Sequence, residues 1–232
     1  MRELNFGDRT DLAPVLSREN IEQLGALGKS VHWSGHDLLY RQGETATFVH
    51  VLTRGRVKSC AVGASGNEMI FRLHLPGSLL GLTALAPRRL RDASAVAIEP
   101  CQTIAVHRDQ LKETLGGDGA LAVSLISLLL DRLRHFQSRI CQQLEAPLEE
   151  RLACALLELT RENAGADNAV VALTHEDLSH IVGARRPSVS KCLRSFASHG
   201  LIETGHRAIS IINSEGLQAL AGDPVRAPVQ TM

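Results

Sequence analysis

The sequence predicts an α+β chain with three parts: an N-terminal β-roll, one long helix, and a C-terminal winged helix-turn-helix. Three observations predict it. Glycines at 35, 43, 55, 66 and 77 separate short runs rich in β-formers. A stretch over 119–145 without Gly or Pro after Gly119 then carries an apolar heptad from Ile126 to Ile140. A short helix without acids follows a glycine turn at Gly183. The composition allows this, since 44% of the 232 residues are hydrophobic and 22% charged, values of an ordinary globular chain.

The elements follow in order. Ser17 is placed to cap a helix over 18–27 whose Ile21, Leu24 and Leu27 share a face. The runs 48–52, 57–62 and 69–75 read as strands of a sandwich or roll. In the long helix, Ile126, Leu129, Leu133, Phe136 and Ile140 step by threes and fours. That spacing is a heptad seam suited to pairing with a second copy; the core helix of a monomer shows the same pattern. A second stripe, Leu121, Leu125 and Leu128, covers only the first half. Pro147 opens a helix over 148–161, 162–168 reads as a loop, and 170–173 as a short strand. The expected domains are 1–118, a sensor roll; 119–146, the pairing helix; 147–220, the winged helix-turn-helix; and 221–232, a flexible tail.

The helix-turn-helix carries the chemistry. Thr174 caps a helix with acids in its first turn and an apolar face of Leu178, Ile181 and Val182. Ser179 is small where a second helix must cross, and Gly183 allows the sharp turn. The second helix, 186–198, has Pro187 in its first turn, Gly200 past its end, and Val189, Cys192, Leu193 and Phe196 inside. Arg185, Arg186, Ser188, Ser190, Lys191 and Arg194 lie outside; with Thr174 they are the candidate contacts to double-stranded DNA. Arg and Lys suit guanine acceptors in a major groove, and hydroxyls suit phosphates. Residues 201–212 then read as a wing hairpin with its turn at 204–207.

Charge and cysteine usage exclude other classes. The 25 Lys and Arg balance 25 Asp and Glu, yet 178–202 holds four basic residues and no acid. Aromatics make up 3% of the chain, too few for a base-stacking platform. The five scattered cysteines, never spaced as CxxC, predict reduced and mostly buried thiols, with Cys141 half-buried. They offer no iron–sulfur or structural zinc ligand set, and no metal site is expected. Residues 1–8 show no leader, and the longest apolar run is too short for a bilayer, so a cytoplasmic chain is expected. The competing class is a metal enzyme of the cupin kind with an appended DNA domain. That chemistry wants His-x-His with a following Glu, and the chain has no His-x-His, so no enzyme is expected.

Over about 12–213 the sequence resembles the Crp/Fnr family of bacterial transcription regulators. The resemblance is carried by GHDLLYRQGE at 35–44, LPGSLLG at 75–81, the long helix, and LSHIVGARRPSVSK at 178–191, in that order. It implies a roll like a cyclic-nucleotide-binding domain, and a homodimer placing two recognition helices in successive major grooves. It also implies contact with RNA polymerase, around 161–168 in some members. Members that bind cAMP use a Gly-Glu pair for the ribose, then an Arg-Ser or Arg-Thr pair for the cyclic phosphate. Here Gly81-Leu82 and Asp92-Ala93 stand in those places. Leucine accepts no hydrogen bond and aspartate repels phosphate, so cAMP control is not expected. Arg91 is one residue off register, and Arg88 and Arg89 offer a nearby cationic loop; with Gly81, Leu82, Asp92 and Ala93 they form the candidate effector pocket. The alternative is a regulator sensing haem or another small ligand through the roll, with His32, His36, His50 and His74 formally available. Pro187 replaces a glutamate that reads cytosine in many members, which predicts a different half-site preference.

Overall fold

The computed structural model describes residues 17–63, 68–160, 170–171, 173–205 and 208–221. The loop expected at 162–168, Gly66, His206 and Arg207 of the wing turn, and the tail beyond 221 lie outside the described residues. The chain divides into two compact units, and the division falls between Arg134 and His135, inside the long helix.

The first unit opens with α1 (Arg18–Leu27), capped by Ser17, whose Oγ accepts from the Asn20 N–H at 3.2 Å. Eight described strands follow: β1 (Lys29–Trp33), β2 (Leu38–Tyr40), β3 (Phe48–Arg54), β4 (Val57–Val62), β5 (Glu68–His74), β6 (Leu79–Leu80), β7 (Ser94–Ala97) and β8 (Cys101–His107). They form two antiparallel sheets, ordered β1-β8-β3-β6 and β2-β7-β4-β5. Except for the β4–β5 hairpin, paired neighbours are not consecutive in sequence, so the chain passes between sheets rather than meandering within one. Leu39, Tyr40, Leu52, Val57, Leu80, Ala95 and Ala97 form a core with Trp33 packed against it. A second core joins Val49, Val51, Leu79 and Val106 to Leu24 of α1 and to Leu111 of α2 (Arg108–Gly117). Leu121, Leu125 and Leu128 of α3 (Gly119–Glu145) close that core, so the second apolar stripe is buried as expected.

In the second unit, α4 (Leu148–Thr160) starts at the residue after Pro147. It is followed by β9 (Val170–Val171), α5 (His175–Val182), α6 (Arg186–Ser198), β10 (Ile202–Gly205), β11 (Ala208–Ile211) and α7 (Ser214–Ala221). The three strands pair antiparallel in the order β10-β11-β9. Leu152, Leu156, Leu178, Leu193, Ile202, Ile209 and Leu217 are each 2% exposed or less and form the interior of this unit. The expectation of a tail from 221 is corrected at its first residue. Ala221 ends α7 and is buried, because Leu217 and Ala221 recur on one face four residues apart.

One buried histidine gives the roll a pH response. His50 lies between Trp33 and Tyr40, at ring centroid distances of 6.1 and 6.0 Å, with Nδ1 3.3 Å from the Thr103 hydroxyl. Burial, and then the charge of Arg91, push its pKa down to about 4. His74 is shifted the same way by burial and by Arg132 and Arg72. The unfolded chain therefore takes up protons between about pH 6.5 and 4 that the folded chain does not, and stability falls as pH falls through that window. For His50 alone the loss is on the order of 3 kcal/mol. Urea unfolding at pH 7 and pH 4.5 should show it, and His50→Gln should show a shallower pH dependence.

Candidate functional site

The helix-turn-helix is built by local chemistry. Thr174 and Asp177 form a reciprocal capping box on α5: the Asp177 N–H donates to Thr174 Oγ1 at 3.0 Å, and the Thr174 N–H donates to Asp177 Oδ2 at 3.1 Å. The Thr174 hydroxyl also donates to that carboxylate at 2.6 Å, so of the candidate DNA contacts this one serves the cap. Gly183 ends the helix in the left-handed conformation, φ 64°, which a side chain adopts only with strain. Ser179 is 3% exposed, as a close helix crossing requires. Val189, Cys192, Leu193 and Phe196 are buried on the inner face of α6.

The outer face of α6 is cationic. Arg185, Arg186, Ser188, Lys191 and Arg194 are all exposed there, on one short helix with no acid in its first turn. The positive end of the helix dipole adds to that field. Ser190 is half-buried, and its Oγ lies 2.9 Å from His175 Nδ1 at the start of α5. Glu176, also from α5, reaches Arg186: its Oε2 is 3.5 Å from the guanidinium Nε.

Two arginines brace the end of α5. Arg139 of α3 donates to the Ile181 carbonyl, and Arg151 of α4 donates to the Val182 carbonyl at 2.9 Å. Carbonyls in a last helical turn lack partners within the helix, and a cation there also complements the dipole. Gln143 of α3 lies against the same turn, 3.2 Å from where a Cβ on Gly183 would stand. Sequence reasoning missed this brace, since Arg139 and Arg151 look like solvent-facing positions and their partners lie 42 and 31 residues away.

In the first unit, the candidate effector residues differ in exposure. Arg88, Arg89 and Asp92 are exposed, Leu82 is half-buried, and Ala93 is buried. Arg91 turns inward. It is 5% exposed, donates to the carbonyls of Gly81 at 2.8 Å and Phe48 at 2.7 Å, and stacks on Tyr40 with its guanidinium carbon 4.0 Å from the ring centroid. Gly81 stands at φ 72°, where a side chain is strained, and a Cβ there would lie 2.1 Å from Arg91 Nη1 and displace the guanidinium. Arg132 of α3 donates to the Leu79 carbonyl at 2.5 Å. Burial, with repulsion from Arg72, pushes its pKa down to about 10. His74 Nε2 lies 2.8 Å from the Ser59 hydroxyl, while His32 and His36 are exposed. Among the described residues no three His, Cys, Asp or Glu side chains group as a metal site. No single helix among them is long and apolar enough to cross a membrane.

The heptad seam is bare along its whole length. Ile126, Leu129, Leu133, Phe136 and Ile140 are between 42% and 56% exposed. Cys141, expected to be half-buried, is exposed on the same helix.

Residues 30–118 match the family model described as a cyclic nucleotide-binding domain, and residues 150–220 match that of a Crp-like helix-turn-helix domain. The chain is 26% identical over 187 residues to a CRP-like cAMP-activated global transcriptional regulator of Mycobacterium tuberculosis, covering 79% of this chain and 83% of that one. In structure it resembles FixK2 from Bradyrhizobium japonicum, with a TM-score of 0.76, 25% identity, and 84% of this chain and 98% of that chain covered. A CRP/FNR-family transcriptional regulator from Thermus thermophilus superposes with a TM-score of 0.72 at 27% identity, covering 84% and 100%.

The capping box yields a direct test. Thr174→Ala removes both hydrogen bonds of the Thr174 hydroxyl, leaves the backbone N–H bond to Asp177, and should cost about 1 kcal/mol of stability, read as a lower urea midpoint at unchanged m-value.

Proposed function

The chain belongs to the Crp/Fnr family of DNA-binding transcription regulators, and we propose that it works as a homodimer on a near-palindromic site without control by cAMP. The observation that carries the DNA reading is the outer face of α6. Arg185, Arg186, Lys191 and Arg194 stand exposed on a helix whose inner face is fully packed. Such a helix can enter a major groove while its own fold stays intact, with Arg186 directed at base edges and Ser188 and Lys191 at bases or phosphates.

The bare seam of α3 supports the dimer. Five large apolar side chains at heptad spacing are more than a lone soluble chain leaves in one stripe, and a second copy of the same helix is their natural cover. Two copies would set their α6 helices roughly 34 Å apart, one turn of DNA. The roll supports the absence of cAMP control. Leu82 offers no acceptor for a ribose hydroxyl, Asp92 is an exposed anion, and the guanidinium of Arg91 is already held by two carbonyls and a tyrosine ring. The residues present therefore do not fit cAMP held in the family's mode. A different ligand is the second reading, and Arg91 and Arg132 favour an anion. They sit on carbonyls two residues apart, those of Gly81 and Leu79. Action in the cytoplasm, contact with RNA polymerase and the lack of a catalytic role complete the proposal.

Sedimentation should give a dimer for the native chain and a monomer for Leu133→Lys, with DNA binding at least tenfold weaker for the variant. A stable monomer of the native chain would overturn the pairing. Arg186→Ala should weaken binding to a selected operator by about 1–3 kcal/mol, measured by fluorescence anisotropy. Millimolar cAMP should leave the thermal midpoint unmoved; a clear rise would restore cAMP as effector.

A further inference from the structure

We infer that Glu176, which lies outside the recognition helix, determines base specificity by positioning Arg186. The inference rests on the reading that α6 enters the major groove, and adds to it a residue from α5.

Glu176 is the second residue of α5, and Arg186 the first of α6. The glycine turn at Gly183 folds one helix back on the other, and the carboxylate spans the gap. Its Oε2 is 3.5 Å from Arg186 Nε, and its Oε1 is 3.3 Å from Nε2 of His180, one turn further along α5. Both carboxylate oxygens thus have cationic or N–H neighbours, and the carboxylate is aimed from two sides. The guanidinium atom nearest to it is Nε, ahead of the two terminal amino groups. Among the described residues no partner takes those two groups, the ones that make a bidentate contact with guanine O6 and N7.

Glu176 and Arg186 are both exposed, with side-chain exposures of 53% and 66%. A surface ion pair of this kind adds little to stability, so its effect lies in orientation. Arginine carries a long stem with many rotamers, and binding must select one of them. A carboxylate at Nε restricts the stem before DNA arrives and leaves the planar fork outward. It also sets an anion beside the phosphate backbone, which weakens contacts made to any sequence alike. The two effects act together: one favours the right base and the other disfavours all the rest, so discrimination rises more than affinity. The acid-free stretch 178–202 is therefore not acid-free in space, because Glu176 joins it from the preceding helix. With Pro187 unable to accept from a base, Glu176 is the carboxylate that governs the first turn of α6.

The full-length dimer tests this. The probe is the duplex that the native protein enriches from a random-sequence pool, with its single-base variants and a scrambled duplex at one fixed salt concentration. Glu176→Gln should bind the selected duplex about 3- to 10-fold more weakly and the scrambled duplex equally or more tightly. Its base preference should flatten at the position that Arg186→Ala also flattens. In an Arg186→Lys background, which keeps a charge but has no Nε, Glu176→Gln should change base preference no further. An unmoved melting temperature separates this from a folding defect, and Glu176→Asp, with a shorter reach, should lie between Gln and native. Unchanged base preference in Glu176→Gln, or effects of the two substitutions that simply add, would overturn the inference. Full operator binding by Arg186→Ala would instead overturn the groove reading beneath it.

Discussion

An α-helix brings residues three and four apart to a common face, so one helix can cover two surfaces only if it carries two stripes. In α3 those stripes are unequal. Leu121, Leu125 and Leu128 stop after two turns, where the β-roll core ends, while the stripe from Ile126 to Ile140 continues. The short stripe is buried in the roll core, and the side chains of the long one stand about half exposed. The long stripe also crosses the boundary between the two units, since Ile126 belongs to the first and Ile140 to the second. A partner helix laid along it would touch both units of each chain at once. In the proposed dimer this pairing is what gives a near-palindromic site its meaning, since such a site matches paired recognition helices.

Charge follows an equally local logic. Residues 147–232 hold eight basic and ten acidic residues, so the DNA-binding half is formally acidic. Packing resolves this. The inner face of α6 takes Val189, Cys192, Leu193 and Phe196, which leaves every arginine and lysine of that helix on the outside. Acids elsewhere in the unit have other tasks: Asp177 closes the capping box and Glu176 meets Arg186. Screening over about 10 Å in salt makes this arrangement, rather than the net charge, the field that a phosphate backbone meets. Arg139 and Arg151 follow the same division of charge, being directed at carbonyls of the last turn of α5.

Much of this was legible in the sequence, and the misses have a common cause. The bounds of α1 and α6 follow from signals within a few residues: a serine cap for one, and a proline near the start and a glycine past the end for the other. The strand β7, with its two alanines, gives no β signal, and α7 is too short for its period to stand out. The site divides in the same way. The cationic face of α6 is a helical pattern and reads directly. The inward turn of Arg91 is not, because its acceptors lie 10 and 43 residues away and its stacking partner is Tyr40. Charged residues in a loop read as solvated, and only the folded roll distinguishes Arg91 from Arg88 and Arg89. Glu176 and Arg186 meet for a similar reason, through the turn at Gly183 that closes the angle between two helices.

The inward arginine bears on how such a regulator is switched. A ligand moves a conformational equilibrium only by its difference in affinity for the two states, and turning 1:99 into 99:1 takes about 5.5 kcal/mol. In this roll an anion meets a guanidinium already bonded to the Gly81 and Phe48 carbonyls and stacked on Tyr40. Hydrogen bonds of a charged group contribute about 1.5–3 kcal/mol each. A ligand that displaced Arg91 would have to replace those contacts before supplying any bias. An anion that left Arg91 in place and engaged Arg132 as well would avoid that cost, and Arg132 lies on α3, the helix that bears the pairing seam. Arg132 thus links the carbonyl of Leu79 in the roll to the helix whose seam is exposed, and it is the cation through which an anion could bias α3 without displacing Arg91.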